Sequence, residues 1–295
     1  MTTEDGSPPP GRADGKNIPA GARLEAGRAS SRVWKNRHGL LRVPWRILLF
    51  LLLWIAVSIA GSLLIVPLFG LHLDTAGPLG PRGLPLRTLL SGYGLGIAGV
   101  FLPGALLVRR FDRRPVAGLG LGLHPRWFRE LALGLLLGAL LIAAIAGAIA
   151  AAGGLSLTRS ELPPSSVFRF ALLYFLLFVE VALFEEILFR GYILQVLAEG
   201  IGKVRASVLL SAIFGLVHAF NEGGTAPGAL STGLAGLLLS LAYFRTRSLL
   251  LPIGIHTAWN FVLGWVLAAP VSGEVLSNTP FIYESLGPIW LTGGL

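Results

Sequence analysis

A chain of 295 residues that is 54% hydrophobic and only 13% charged carries about half the charge of an ordinary soluble domain, and reads as a membrane protein. With no cysteine it excludes disulfides, thiolate nucleophiles and Cys-ligated zinc. The net charge of +9 raises nucleic acid as a partner, but the basic residues fall in short loops between apolar runs, so they read as topology signals and no nucleic-acid partner is expected.

Residues 1–43 are polar, contain Pro8-Pro9-Pro10 and lack apolar periodicity, which predicts a disordered, basic cytoplasmic tail. The first apolar run begins only near Trp45, too late for a secretory signal. It continues to Phe69, long enough to cross about 30 Å of hydrocarbon. Further apolar spans are expected near Leu86–Val108, Leu131–Ala152, Phe170–Leu197, Ala206–Phe220, Leu230–Phe244 and Leu249–Ala269. A last run, Phe281–Leu295, is short. The expected fold is all-α, a polytopic transmembrane helix bundle of about seven to eight spans over residues 44–295, with no internal repeat and no soluble domain.

Basic residues are divided unevenly between alternate loops. Nineteen of the 24 lie at the N-terminal end and in residues 109–129, 199–205 and 245–247. Only four lie in residues 70–87 and 154–169, with none in 221–229 or after 270. This asymmetry predicts a cytoplasmic N-terminus and an integral, multi-pass protein in the lipid bilayer.

Charged groups inside a span cost about 2.5–3.5 kcal/mol each on insertion scales, so each is a functional candidate. They are concentrated in the second half: Glu180, Glu185, Glu186 and Arg190 in the fourth span, His218 in the fifth, His256 and Asn260 in the seventh. Glu186 and Arg190 are four apart, on one helical face, and can form an ion pair. Glu185 is turned about 100° away, so its carboxylate projects elsewhere and suits a general base. Glu180 fits neither role and reads as structural or water-facing. Phe214 and His218 share a face, as do His256 and Asn260, each pair being four apart. His38, His72 and His124 fall in the tail or loops, where a solvated ring needs no explanation.

Two chemistries suit this group. His218 and His256 with a carboxylate can hold zinc with a position open for water, which makes zinc a candidate cofactor. Alternatively, Glu185 and His218 activate water without metal while His256 and Asn260 donate to the developing oxyanion. No His-Glu-x-x-His or Gly-x-Ser-x-Gly occurs.

These residues resemble the motifs of the CAAX prenyl endopeptidase and bacteriocin-processing family, the CPBP intramembrane proteases. Glu-Glu-x-x-x-Arg matches Glu185, Glu186 and Arg190, followed by Gly191; Phe-x-x-x-His matches Phe214 and His218; His-x-x-x-Asn matches His256 and Asn260. The resemblance covers roughly residues 168–265. It implies that Glu185 is the water-activating base with His218 as partner, that Glu186, Arg190 and Phe214 shape the site, and that His256 and Asn260 stabilise the oxyanion or bind metal. It implies an intramembrane endopeptidase, commonly labelled a metalloprotease, acting on a peptide or protein substrate that in some relatives is lipidated. The competing readings are a non-catalytic membrane scaffold or immunity-type protein and a transporter or proton relay, the latter disfavoured by the lack of repeats. With Arg190 and Arg245 taken as marks of the inner boundary, the site is expected level with the cytoplasmic half of the bilayer.

Overall fold

The computed structural model describes residues 34–36, 39–68, 86–221 and 223–293. Most of the expected N-terminal tail and the loop containing His72 lie outside these residues. The segment up to Arg42 is a unit of its own, in which Lys35 bridges Leu41 and the Arg42 amide donates to the Trp34 carbonyl at 2.9 Å.

The second unit, Val43–Leu295, is a helix bundle. Its elements are α1 (Val43–Leu68), α2 (Leu86–Arg110), α3 (Trp127–Ala151), β1 (Leu155–Arg159), α4 (Pro164–Ile201), α5 (Lys203–Ala219), α6 (Ala226–Thr246), α7 (Leu250–Val266), β2 (Phe281–Ser285) and the one-turn α8 (Ile289–Thr292). Among the described residues five helices, α1, α2, α3, α4 and α6, are long and apolar enough to cross a membrane. The expected spans near Ala206–Phe220 and Leu249–Ala269 are the shorter α5 and α7. Apolar side chains such as Leu63, Leu64 and Leu140 are exposed, as lipid-facing positions should be.

The run Phe281–Leu295 does not form a helix of spanning length. Phe281–Ser285 pairs antiparallel with Leu155–Arg159, Tyr283 opposite Leu157, and Pro288 then opens the short α8. Residues 155–159, Leu-Ser-Leu-Thr-Arg, alternate in polarity, a period of two that suits a strand with one covered face, and Phe-Ile-Tyr-Glu-Ser opposite them is of mixed polarity.

Glycines decide how closely the helices that carry chemistry can approach. A Cβ at Gly134 or Gly138 of α3 would stand 2.4 or 2.3 Å from the carbonyl oxygens of Leu251 and Ile255 in α7, and one at Gly254 would stand 2.5 Å from the Leu131 oxygen. Gly215 of α5 sits in the same way 2.4 Å from the Ala229 oxygen of α6. Small residues at such crossings let backbones touch where lipid supplies no hydrophobic push. His256 lies two residues beyond Gly254 and His218 three beyond Gly215, so these crossings set the histidines.

At the end of the bundle that carries the arginine-rich loops, α1 and the α2–α3 loop are clamped to the last turns of α4. Arg46, 2% exposed, pairs with Asp112 at 2.7 Å and with Glu199. Arg114 reaches Glu199 at 3.4 Å and also donates to Gln195. Burial pushes the Asp112 carboxyl above its ordinary value, with Arg46 pulling the other way.

The glycine crossings predict a contrast within one helix. Gly138→Val forces the α3–α7 contact apart and should lower the melting temperature and the monodisperse yield in detergent. Gly147→Val, where nothing lies within 4 Å, should leave both unchanged. Fluorescence-detected size exclusion with a thermal ramp measures the two; equal behaviour of the variants would contradict the role given to the crossing.

Candidate active site

Glu185 and Glu186 end the regular α-helical part of α4, and Ile187–Ile193 form a π-helical turn before the helix resumes. Such widened turns recur at functional sites because they re-aim side chains without breaking the helix. Arg190 sits inside the wide turn and still reaches back to Glu186, its Nη1 donating to Oε1 at 3.0 Å. Both groups are sealed, at 0% and 1% exposure. The second guanidinium nitrogen donates to the Gly236 carbonyl of α6 at 3.1 Å. A Cβ on Gly236 would come within 3.3 Å of that nitrogen, so glycine makes room for the arginine. Gln195 Nε2 donates to the Gly191 carbonyl at 2.7 Å, taking up a carbonyl within the wide turn.

His256 Nδ1 lies 3.1 Å from the same Glu186 Oε1, and His218 Nδ1 lies 2.7 Å from the Phe214 carbonyl. A carbonyl only accepts, and so does a carboxylate already paired with arginine. Each Nδ1 must therefore carry the proton and donate it, which leaves Nε2 of both rings facing inward. Both point at one atom, Glu185 Oε2, at 3.7 Å from His256 Nε2 and 3.9 Å from His218 Nε2. That oxygen is enclosed and makes no hydrogen bond among the described residues. Two unprotonated ring nitrogens and a carboxylate are three acceptors around one point. A water that donates its hydrogens, or a protonated ring, satisfies that set.

Phe214 packs at the centre. Its ring centroid is 4.7 Å from the Arg190 guanidinium carbon, 4.5 Å from the His218 ring and 6.3 Å from the His256 ring. Asn260 follows His256 by one turn, is 8% exposed, and is succeeded by a second π-helical turn, Phe261–Val266. His218, His256 and Asn260 line one cavity of about 450 Å³, whose remaining walls are mostly apolar. Glu185 is not part of that wall; it meets the cavity through the two imidazoles. Glu180, one turn and a half earlier on α4, has one enclosed oxygen without a hydrogen-bond partner among the described residues and does not line the cavity.

Among the described residues no set of three or more His, Asp or Glu side chains is arranged to hold a metal ion. His218 and His256, the expected zinc ligands, are brought together, with Nε2 of each ring directed at Glu185 Oε2.

Of the two residues from which the level of the site is expected, Arg190 is the buried partner of Glu186 and does not mark a helix end. Glu185 is sixteen residues from Ile201, roughly 24 Å along a helix axis. His256 is close to the start of α7, but that start is itself buried: Leu249 is 0% exposed and its amide donates to the Gly120 carbonyl at 2.8 Å. The loop before α3 thus folds against the start of α7. Gln195, Gly236 and the two π-helical turns were not read from the sequence. Gln195 carried a signal, as an uncharged polar residue five beyond Arg190 in an apolar helix; a lone glycine such as Gly236 carried none.

Residues 167–262, about a third of the chain, match the family model described as Rce1-like, type II CAAX prenyl endopeptidase Rce1-like. The match falls on the three motifs and is consistent with the CPBP intramembrane protease family they resemble. It supports an intramembrane endopeptidase acting on a peptide substrate in a membrane. No curated protein and no solved structure matches the chain.

The two adjacent acids should differ under substitution. Glu186→Gln or Arg190→Ala leaves a sealed charge without its partner, a loss of about 3–5 kcal/mol in soluble proteins, and should lower folded yield. Glu185→Gln keeps shape, removes no direct hydrogen bond and should fold as the wild type does. Thermal unfolding in detergent checks this, and an unstable Glu185→Gln beside a stable Glu186→Gln would reverse the assignment.

Proposed function

We propose that the chain hydrolyses peptide bonds within the membrane, with Glu185 as general base. The observation that carries this reading is the enclosed Glu185 oxygen, without a direct hydrogen bond and faced by two Nε2 atoms whose rings are fixed through Nδ1. A water between these groups gives one proton to Glu185 as its oxygen attacks the carbonyl carbon, and His218 Nε2 accepts its other hydrogen. The oxyanion that forms accepts from the Asn260 side-chain amide and from protonated His256, whose charge is balanced by Glu186 at Nδ1. Glu185 then hands its proton to the departing amine nitrogen as the carbon–nitrogen bond breaks. Arg190 and Phe214 act at one remove: the guanidinium pairs with Glu186, and the Phe214 carbonyl and ring hold His218.

This reading uses no zinc. A purely structural role suits Glu186 and Arg190, which bond to each other, to His256 and to Gly236, although Glu186 Oε2 and Arg190 Nε have no hydrogen-bond partner among the described residues. It does not suit Glu185, which holds nothing together. The apolar cavity favours a substrate with apolar side chains beside the cleaved bond, and a lipid chain has the same chemistry. The charge bias of the loops favours a cytoplasmic N-terminus.

Turnover of a fluorogenic peptide library by purified protein in detergent tests the proposal. Glu185→Gln should lower cleavage by about a thousandfold at unchanged folded yield, the scale of a lost general base. Asn260→Ala should lower turnover by about a hundredfold with little change in KM. Cleavage should survive 1,10-phenanthroline, and its abolition by the chelator, with restoration by zinc, would replace this mechanism with a metal-dependent one.

A further inference from the structure

We infer that substrate reaches the site from the face of the bundle opposite the arginine-rich loops, which the charge bias makes the extracytoplasmic face. The inference rests on the assignment of the active site above and adds to it the side from which the peptide is taken.

The cavity bounded by His218, His256 and Asn260 extends in one direction only. Its further walls are the α5–α6 connection, the residues after α7, and the β1–β2 pair with α8, including Gly224, Ser272, Tyr283 and Trp290. All of these lie where α3, α5 and α7 end and where α4 and α6 begin. Between the histidines and this rim the walls are apolar, Ile142 and Ile145 from α3 facing Leu234 and Leu238 from α6.

The opposite direction is closed. Below the histidines lie the sealed Glu186–Arg190 pair and then a packed layer with Leu194, Leu210, Tyr243, Leu249 and Ile253, none more than 4% exposed. The surface pocket on that face, bounded by His124, Arg126 and Arg247, shares no residue with the site cavity. A peptide coming from the arginine-rich face would have to unpack this layer and expose a buried ion pair, whereas one from the other face meets an open, apolar passage. That other face carries few basic residues, Arg87, Arg159 and Arg169 among the described ones. The substrate class is therefore a secreted or membrane-tethered segment, apolar around its cleaved bond, presented outside the cytoplasm.

The absence of cysteine makes single-cysteine reporters clean. Ser272→Cys places a thiol at the rim, Arg126→Cys places one on the arginine-rich face, and Leu238→Cys places one in the passage. In intact expressing cells, a membrane-impermeant maleimide should label Ser272→Cys and spare Arg126→Cys, and inside-out vesicles should reverse this. In detergent, a bulky maleimide on Ser272→Cys should abolish cleavage by an otherwise active variant, while the same adduct on Arg126→Cys leaves it intact. Blockage from Arg126→Cys alone, blockage from neither, or labelling with the reverse sidedness would overturn the inference. Should wild-type protein cleave nothing, the assigned activity falls instead, and the path is judged by Leu238→Cys: a small charged thiol reagent must reach it in intact cells, and access only from inside-out vesicles, or from neither side, overturns the path.

Discussion

An ion pair sealed inside a helix bundle has no water to retreat to, so every other bond its members make becomes a constraint on the helices that offer them. Glu186 Oε1 accepts from Arg190 on its own helix and from His256 on α7, and Arg190 carries the same pair to the Gly236 carbonyl on α6. Three helices are thus tied to one carboxylate oxygen. The cost of placing such charges in a membrane is several kcal/mol, and it is offset only while all the legs are in place. Phe214 closes the arrangement from α5, its ring over the guanidinium and its carbonyl on His218. The three helices that carry chemistry, α4, α5 and α7, are therefore held together with α6 around one ion pair.

Commitment of one acid to structure leaves its neighbour free for chemistry. Glu185 and Glu186 are adjacent in sequence and differ by a third of a helical turn, which is enough to give them different surroundings. Glu186 has lost all exposure and is bonded at one oxygen to two partners, while Glu185 keeps 16% exposure and faces the inward nitrogens of two imidazoles without a direct hydrogen bond. The π-helical turn that follows lets Arg190 fold back onto Glu186 while Gln195 holds a carbonyl of the same turn. The bonds at Nδ1 fix both imidazoles with Nε2 inward, so the asymmetry of the acids passes on to the rings.

The parts of this site that could be read from residues alone were those governed by cost. A buried Glu four residues from an Arg is expensive unless paired, so the Glu186–Arg190 contact followed from spacing, as did the shared faces of Phe214 with His218 and of His256 with Asn260. Long apolar runs located the helices for the same reason. What escaped were features set by tertiary partners. The strand at Phe281–Ser285 exists because Leu155–Arg159 lies opposite it, and five residues of mixed polarity do not announce a partner 120 residues away. Arg190 reads as a boundary residue by its charge when it is a buried counter-ion, and the burial of Leu249 against Gly120 depends on a loop with no distinctive composition.

The matched segment is not sufficient for the site it contains. α3 lies outside residues 167–262, yet its Gly134 and Gly138 seat α7 at backbone contact, and its Ile142 and Ile145 form one wall beside the histidines. α1 and the α2–α3 loop, also outside, hold the end of α4 through Arg46, Asp112 and Arg114, a turn or two beyond the wide turn that aims Arg190. Without α3, His256 would lose the surface that sets its height, and Gly254 would expose backbone to lipid. Without the clamp, Gln195 would lose one of the groups that fix its amide against the Gly191 carbonyl. The motifs supply the reacting groups, while α1, the α2–α3 loop and α3 help set the distances between them.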